Sequence, residues 1–375
     1  MENNNSVCFV GRVTEVKPIE GADKIELVVV NGWNCISKKG EHTVDELAVI
    51  ATTDAVIPQE LSDGLGVTNY LRKGGRVRTI KLRGVYSECL IIPSTEGFLD
   101  KSSEGKDMME KLSITKYEPP VRQVQLAGGR KIKYKDNPNF HVYYKFPNLK
   151  NVPKLFNEED RVEITRKIHG TNARYGIIKK NKLSILDHVK KFFGLGGKWI
   201  DYEFVYGSHN VEKGSDTQGF YDTDVWKTIA DNNQIKEKLW KYVDEEFTFP
   251  ETIGTGFIIY GEIYGKGIQK NYEYGLDDIQ FAGFDVEMDG KYSSCYSSQH
   301  VFKSLGLDYV PVLCDEWWSQ ELQDQFTFNQ FIDDTKVPHE GIVIKEISGD
   351  RRKVAKVINP DYYIYSEKHN VGDSH

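Results

Sequence analysis

An α+β chain, with a small β-barrel in front of a larger mixed domain, is the fold class this sequence predicts. Short runs rich in Val, Ile and Thr crowd the first 100 residues. A polar, proline-ended stretch follows, and from about residue 140 strand-like runs mix with segments of helical spacing. The front runs are "VCFVGRVTEV", "KIELVVVNGW", "LAVIATTDAVI", "VRTIKL" and "ECLIIP", separated by turn-forming Gly, Asp and Asn. About five strands at this spacing suit a small barrel, with the OB-fold the leading candidate beside another small antiparallel sandwich.

Residues 101–121, "KSSEGKDMMEKLSITKYEPPV", hold a short helical candidate and end on Pro119-Pro120, a composition suited to a linker. The boundary is therefore set at residue 120, with 1–120 an OB-like module plus linker and 121–375 the second domain. There "RVEITRKIHGTNARYGIIKK" reads as two strands around a turn and "FIIYGEIYG" as another strand. "VWKTIADNNQIKEKLWKYVDEEF" carries Val225, Ile229, Leu239 and Tyr242 at helical spacing. "QHVFKSLGL" and "SQELQDQFTFNQFIDDT" supply further helices. There is no internal repeat or low-complexity tract.

With 39% hydrophobic and 12% aromatic residues in 375, sizeable cores can form. The net charge of −7 gives no global signature of nucleic-acid binding, yet it hides local patches. Residues 70–84 contain Arg72, Lys73, Arg76, Arg78, Lys81 and Arg83 and no acid; residues 121–156 contain eight Lys/Arg against Asp136. Arg72, Lys73, Arg76 and Arg78 are candidates for a nucleic-acid backbone, the plain alternative being a solvated strand pair. The five cysteines are scattered without metal or redox spacing, which fits a reducing, intracellular, cytoplasmic setting. The N-terminus lacks the charged and apolar regions of a signal peptide. No apolar run approaches the ~18 residues that span a bilayer, and no membrane is expected among the partners.

Chemistry concentrates around "RKIHGTN", residues 166–172. Lys167 follows a strand with a buried look and precedes a Gly-containing turn. Alone it is either a surface charge or an amine aimed into a cleft, where burial or nearby positive charge would make it nucleophilic. Glu262 in "FIIYGEIYG" suits ribose hydroxyls or a salt bridge at a sheet edge. Phe284 in "FAGFDV" suits a stacked purine or a core. "HEGIVIK" brings Glu340 and Lys345, and "RRKVAKVINPDYY" brings Lys356. Glu262 and Glu340 could hold a hard divalent cation, with Lys345 and Lys356 neutralising phosphates. Together these residues describe nucleotidyl transfer, which rests on positioning and charge neutralisation. His169 is read as structuring its turn or contacting the base, not as a general base. "FGLGGKW", residues 193–199, lacks the continuation of a phosphate-binding loop and is read as a loop tip after "DHVKK".

The ordered set "KIHGTN", "IIYGEIYG", "FAGFDV", "EGIVIK" and "KVAKVINP" resembles motifs I, III, IIIa, IV and V of the covalent nucleotidyltransferases, most closely ATP-dependent RNA ligases. The resemblance implies an OB module followed by a nucleotidyltransferase domain of ATP-grasp-like antiparallel sheets with helices. It implies that Lys167 attacks the α-phosphorus of ATP to form lysyl-AMP. Asn172 would lie near the α-phosphate and the RNA 5′-phosphate, Glu262 on the ribose, and Phe284 on adenine. Glu340, with Glu262, would bind Mg²⁺ or Mn²⁺; Lys345 and Lys356 would contact phosphates. "VYGSHN", with Ser208 and His209, resembles the motif that holds the donor 5′-phosphate.

Two positions depart from the pattern. Arg166 stands where relatives place Glu, which puts adenine recognition by that side chain in question. Ile358 replaces the second motif V lysine, leaving Lys356 alone unless Lys353 stands in. Only 19 residues of this sequence follow Lys356, too few for a trailing OB domain of the DNA-ligase kind. The front placement of the barrel resembles the fifth RNA ligase family, which seals 3′-OH/5′-phosphate nicks in duplexes. The expectation is a monomeric RNA ligase acting on nicked duplex RNA. The alternatives are a DNA or mixed RNA/DNA nick ligase, or an inactive nucleic-acid-binding relative.

Overall fold

The computed structural model describes residues 6–93, 101–117, 137–195, 197–215, 219–220, 224–272, 274–333, 335–347 and 352–371. Pro119-Pro120 and the basic residues between 121 and 136 lie outside the described residues. In the front module β1 (Cys8–Pro18), β2 (Ile25–Val30), β3 (Trp33–Lys38) and β4 (Leu47–Thr52) are followed by β5 (Ala55–Val56) and helix α1 (Gln59–Gly64). Then come β6 (Ile80–Leu82), β7 (Val85–Ser87), β8 (Cys89–Ile92) and β9 (Thr115–Lys116). The main sheet runs β3-β2-β1-β4-β8, with β5-β9 and β6-β7 as small ladders.

The long β1 serves two partners: Cys8–Arg12 pairs with β4 and Val13–Pro18 with β2, with a bulge between Val13 and Glu15. Such a bulge increases twist and bends the strand, which wraps the sheet as the OB-fold requires. One face buries Phe9, Val28, Trp33 and Ile50; the other buries Val10, Val49, Met108 and Ile114. Within 101–117 the short helical candidate is a single 3-10 turn at Lys101–Ser103; residues 109–113 are turns, and Met108, Met109, Leu112 and Ile114 close this second face. The strand read as "KIELVVVNGW" ends earlier than expected. Asn31 and Gly32 both have positive φ, 49° and 85°, the geometry of a two-residue hairpin turn, and Trp33 opens a new strand.

The second domain contains β10 (Arg161–Lys167), β11 (Thr171–Lys179), α2 (Ile185–Phe192), β12 (Tyr202–Gly207), β13 (Glu212–Ser215) and β14 (Gly219–Phe220). Next are α3 (Val225–Asn232), α4 (Ile235–Glu246), β15 (Gly256–Gly265), β16 (Ile279–Met288) and β17 (Lys291–Tyr292). The chain finishes with α5 (Cys295–Leu305), β18 (Val312–Trp317), α6 (Gln320–Thr327), β19 (Gly341–Glu346), β20 (Val354–Ile358) and α7 (Pro360–His369). Two antiparallel sheets result, β14-β13-β12-β11-β15-β16-β17 and β18-β10-β19-β20. The single helix expected over 225–247 is two, because Gln234 adopts a left-handed conformation at φ 52°. The segment "DHVKK" is helical, within α2.

Strand alternation decides which side chains meet. In the large sheet Ile177, Ile259, Ile263 and Phe281 point to one side and pack with Ile229, Leu239 and Phe302 of α3, α4 and α5. In the small sheet Val162, Ile164, Ile342, Ile344 and Val357 form the outer core, joined by Leu322 and Phe326 of α6. The two remaining faces look toward each other.

The front module is fastened to the second domain by polar contacts. Lys150 Nζ lies 2.6 Å from Glu88 Oε2, and Trp33 Nε1 donates to Asn151 Oδ1 at 3.1 Å. Arg78 Nη1 lies 2.8 Å and Arg72 Nε 3.5 Å from the Glu367 carboxylate of α7. Glu88 is almost fully buried, and removing its partner would strand a charge.

Candidate active site

Strands β10 and β11 are consecutive in the chain yet belong to different sheets. The chain crosses between them at Ile168–Gly170, so Lys167 sits where the sheets converge. Glycine at 170 is demanded by this crossing, since a Cβ there would lie 2.2 Å from the Ile263 carbonyl oxygen and 2.9 Å from Glu262 Cγ.

Register defines the inner face of the small sheet. Glu163 lies opposite Lys345, Thr165 opposite Val343, and Lys167 opposite Gly341; Val343 lies opposite Lys356. Alternation therefore turns Glu163, Thr165, Lys167, Lys345 and Lys356 toward the large sheet. On that sheet Asn172 pairs with Glu262, and Glu262 with Ala282. Phe284 is the extra residue of a bulge, since Tyr260 faces Asp285 and Gly261 faces Gly283. A bulge re-aims a side chain, and Phe284 lies between the Ile168–Ala282–Val310 cluster and Tyr143.

Lys167 Nζ lies 2.7 Å from Glu340 Oε1. The other oxygen, Glu340 Oε2, is buried without a hydrogen-bond partner, as is Asn172 Oδ1. Such orphans are costly, and two of them lining one cleft mark a place built for a polar ligand. Burial is the largest influence on both carboxyls. It lifts Glu262 to about 8 against the pull of Lys167. At Glu340, burial is outweighed by Lys167, His169 and Lys356, which hold the group below its ordinary value. Lys356 is lowered to about 8, first by burial and then by repulsion from Lys167.

His169 is buried among Tyr272, Tyr274 and Tyr362. Its backbone N–H donates to Tyr274 Oη at 2.7 Å, and Tyr362 Oη is 3.2 Å from Nδ1. This enclosure matches a turn-structuring role. The tyrosines were missed in the sequence because an aromatic residue in a polar stretch has no distinguishing period. Arg174 was missed too. It is buried, donates from Nε to the Ser208 carbonyl at 2.9 Å, and holds the Ser208–His209 turn at the Asn172 end of the sheet.

Comparison with known proteins fits this arrangement. A family model for RNA ligase matches residues 160–358, more than half of the chain and the whole stretch from β10 to the end of β20. The chain belongs to the RNA ligase family. An OB-fold domain model matches residues 7–94. No curated protein matches this sequence closely enough to count as a relative. In fold the chain is similar to the Naegleria gruberi RNA ligase, at 23% identity. The TM-score is 0.71 against its structure with PPi, covering 98% of this chain and 99% of that one. It is 0.72 against a mutant with AMP and Mn and 0.71 against a mutant with ATP and Mn, each covering 97% and 99%.

Within this RNA ligase fold, other predicted residues take more specific places. Lys345 is buried, and its ammonium donates to the Phe284 carbonyl 3.5 Å from Asp285, so its charge is already compensated. Arg352 also pairs with Asp285, and Tyr143 Oη donates to it at 2.8 Å. Lys353 does not stand in for the second motif V lysine. It is bound to Asp160 at 2.7 Å and Glu346 at 3.3 Å. Ile358 instead completes an apolar cluster with Tyr272, Ile332 and Tyr362. Arg166 lies on the outer face, where it donates to the Phe326 carbonyl and Gln330 Oε1, each at 3.2 Å. It cannot read a base from there.

Of the basic front residues, Arg76 pairs with Asp54 and covers the Tyr117 ring at 3.9 Å, while Arg72 and Arg78 engage Glu367. Lys73 is exposed. Arg72, Arg76 and Arg78 line the seam beside α7, not the cleft around Lys167. Among the described residues, no group of three His, Cys, Asp or Glu is arranged to hold a metal alone. The open oxygen of Glu340, with Glu262 nearby, fits a hard cation that takes one or two carboxylates and completes its shell from substrate phosphate.

Proposed function

We propose that this protein is an ATP-dependent RNA ligase that joins 3′-OH and 5′-phosphate ends, at nicks in duplexes, through a lysyl-AMP intermediate. The observation that carries the proposal is Lys167, held 2.7 Å from Glu340 in a cleft whose Glu340 Oε2 and Asn172 Oδ1 lack hydrogen-bond partners. The Lys167 amine gives up a proton and attacks the α-phosphorus of ATP; an N–P bond forms with loss of a second proton from the nitrogen, the bond to the bridging oxygen breaks, and pyrophosphate leaves with the electron pair. An oxygen of the RNA 5′-phosphate then attacks the AMP phosphorus and releases the lysine. Finally the 3′-OH, losing its proton, attacks the activated 5′-phosphate and expels AMP.

Glu262 binds the ribose, Phe284 packs against adenine, and Asn172 and Lys356 contact the reacting phosphates, with Lys345 supporting the adenine side. Ser208 and His209 receive the RNA 5′-phosphate. Mg²⁺ or Mn²⁺, held by Glu340 and Glu262, would neutralise phosphate charge when bound. The Naegleria gruberi enzyme, solved with ATP and Mn and with AMP and Mn, supports this nucleotide and metal assignment. Residues 1–120 serve as the nucleic-acid-binding module and 121–375 as the adenylyltransferase domain. Lys73, with the outer edges of Arg72, Arg76 and Arg78, steers the duplex backbone. The protein acts as a monomer in the cytoplasm, which its five free cysteines suit.

Sealing of nicked duplexes with ATP and a divalent metal tests this reading. Sealing with an RNA 3′-OH strand, abolished in Lys167→Ala, is the expected result. Sealing only where both strands at the nick are DNA would transfer the activity to DNA. No sealing of any duplex or single strand would overturn it.

A further inference from the structure

Helix α2 shows an inverted amphipathic arrangement. At about 100° per residue, Ile185, Leu186, Val189, Phe192 and Phe193 share an arc of roughly 120°, with Asp187, Lys190 and Lys191 on the remainder. A surface helix normally turns its apolar arc inward. Here the ion pairs Lys180–Asp187 at 3.2 Å and Lys191–Asp201 at 2.5 Å hold the polar side against the β11–β12 hairpin. The apolar side faces solvent: Ile185 is 85% and Phe192 84% exposed, and the helix has no buried residue. Including Leu195, six large exposed apolar side chains fall within 11 residues. A helix this short has little stability of its own, so an apolar arc facing water calls for an occupant.

Charge identifies the occupant. Residues 179–198 carry six lysines in a chain of net charge −7; Lys180, Lys191 and Lys198 pair with Asp187, Asp201 and Asp244, leaving Lys179, Lys182 and Lys190 unpaired among the described residues. We propose that α2 docks the protein on an anionic lipid surface, its apolar arc entering the headgroup–acyl boundary and its lysines reaching the headgroups. A second copy of the chain is disfavoured by the facing lysines. Bases stack on aromatic rings, and that leaves Ile185, Leu186, Val189 and Leu195 without a purpose. Asn172 and Lys179 lie at opposite ends of β11, about 23 Å apart at the strand rise, so docking leaves the cleft open. The expectation of no membrane partner rested on spanning segments alone; among the described residues no helix is long and apolar enough to cross a membrane.

Flotation of the full chain with vesicles tests this. With phosphatidylglycerol-containing vesicles the protein should float at least roughly tenfold more than with phosphatidylcholine alone, and added salt should reduce the difference. The double variant I185D/F192D should lose flotation while keeping its melting temperature and adenylylation rate. K182E/K190E should lose the preference for anionic lipid. Equal flotation of wild type and I185D/F192D, or none by wild type, would overturn the proposal. So would a gel shift with RNA that I185D/F192D loses in the absence of any vesicle binding.

Discussion

At Glu262 burial lifts the carboxyl to about 8, whereas at Glu340 the influence of Lys167, His169 and Lys356 outweighs burial and holds the group below its ordinary value. The pair thus offers one permanent carboxylate beside Lys167 and one that changes charge near neutrality. The sign of the stability effect follows. Folded Glu262 keeps its proton up to about 8, while the unfolded chain releases it near 4.5. Between those values the folded state binds more protons, so the contribution is complete below about 4.5 and is lost as pH rises toward 8. Melting temperatures measured across this window should fall more steeply for wild type than for Glu262→Gln. Parallel curves would show that the carboxyl is not buried in this way. The motif spacing made Glu262, Glu340 and Lys167 visible as a set in the sequence. Their titration was not visible, because burial depends on which strands face each other.

Strand β10 carries opposite tasks on its two faces, and alternation makes each residue's task legible once the sheets are known. Lys167 turns inward, and Arg166 turns outward to tie the end of β10 to the end of α6 and the residues after it, through Phe326 and Gln330. Arg166→Met should therefore cost roughly 1–3 kcal/mol of stability, the penalty for leaving a half-buried carbonyl and Gln330 Oε1 without their donor. Adenylylation at a temperature where the variant stays folded should change by no more than about threefold, or ~0.7 kcal/mol. Urea titration beside a single-turnover assay checks this; unchanged stability with lost adenylylation would make Arg166 a participant in the chemistry. Strands β10, β11 and β15 were legible because their apolar runs are bounded by turns. The crossing at Ile168–Gly170 was not, since two strands around a turn read as one hairpin. The break at Gln234 and the start of β3 at Trp33 were missed for a related reason: backbone conformation at one or two residues overrode a continuous side-chain pattern.

Across the molecule, the seam between the OB-fold module and the ligase domain runs close to the cleft. Asp54 and Lys116 of the front module act electrostatically on Lys356, and α7, which meets Arg72 and Arg78 through Glu367, also brings Tyr362 to His169. The sequence placed an OB-like module in front, but it offered no sign that basic residues there would meet acids near the end of the chain. Contacts separated by 289 positions, as for Arg78 and Glu367, leave no local trace. The chemistry assigned to this assembly depends on Lys167 becoming bonded to AMP. Incubation with ATP and Mn²⁺, denaturation and digestion at alkaline pH, which preserves an N–P bond, and mass spectrometry test that bond directly. An AMP adduct confined to the peptide containing Lys167, and absent from Lys167→Ala, is the predicted result. An adduct at another residue, or one that persists in Lys167→Ala, would contradict it.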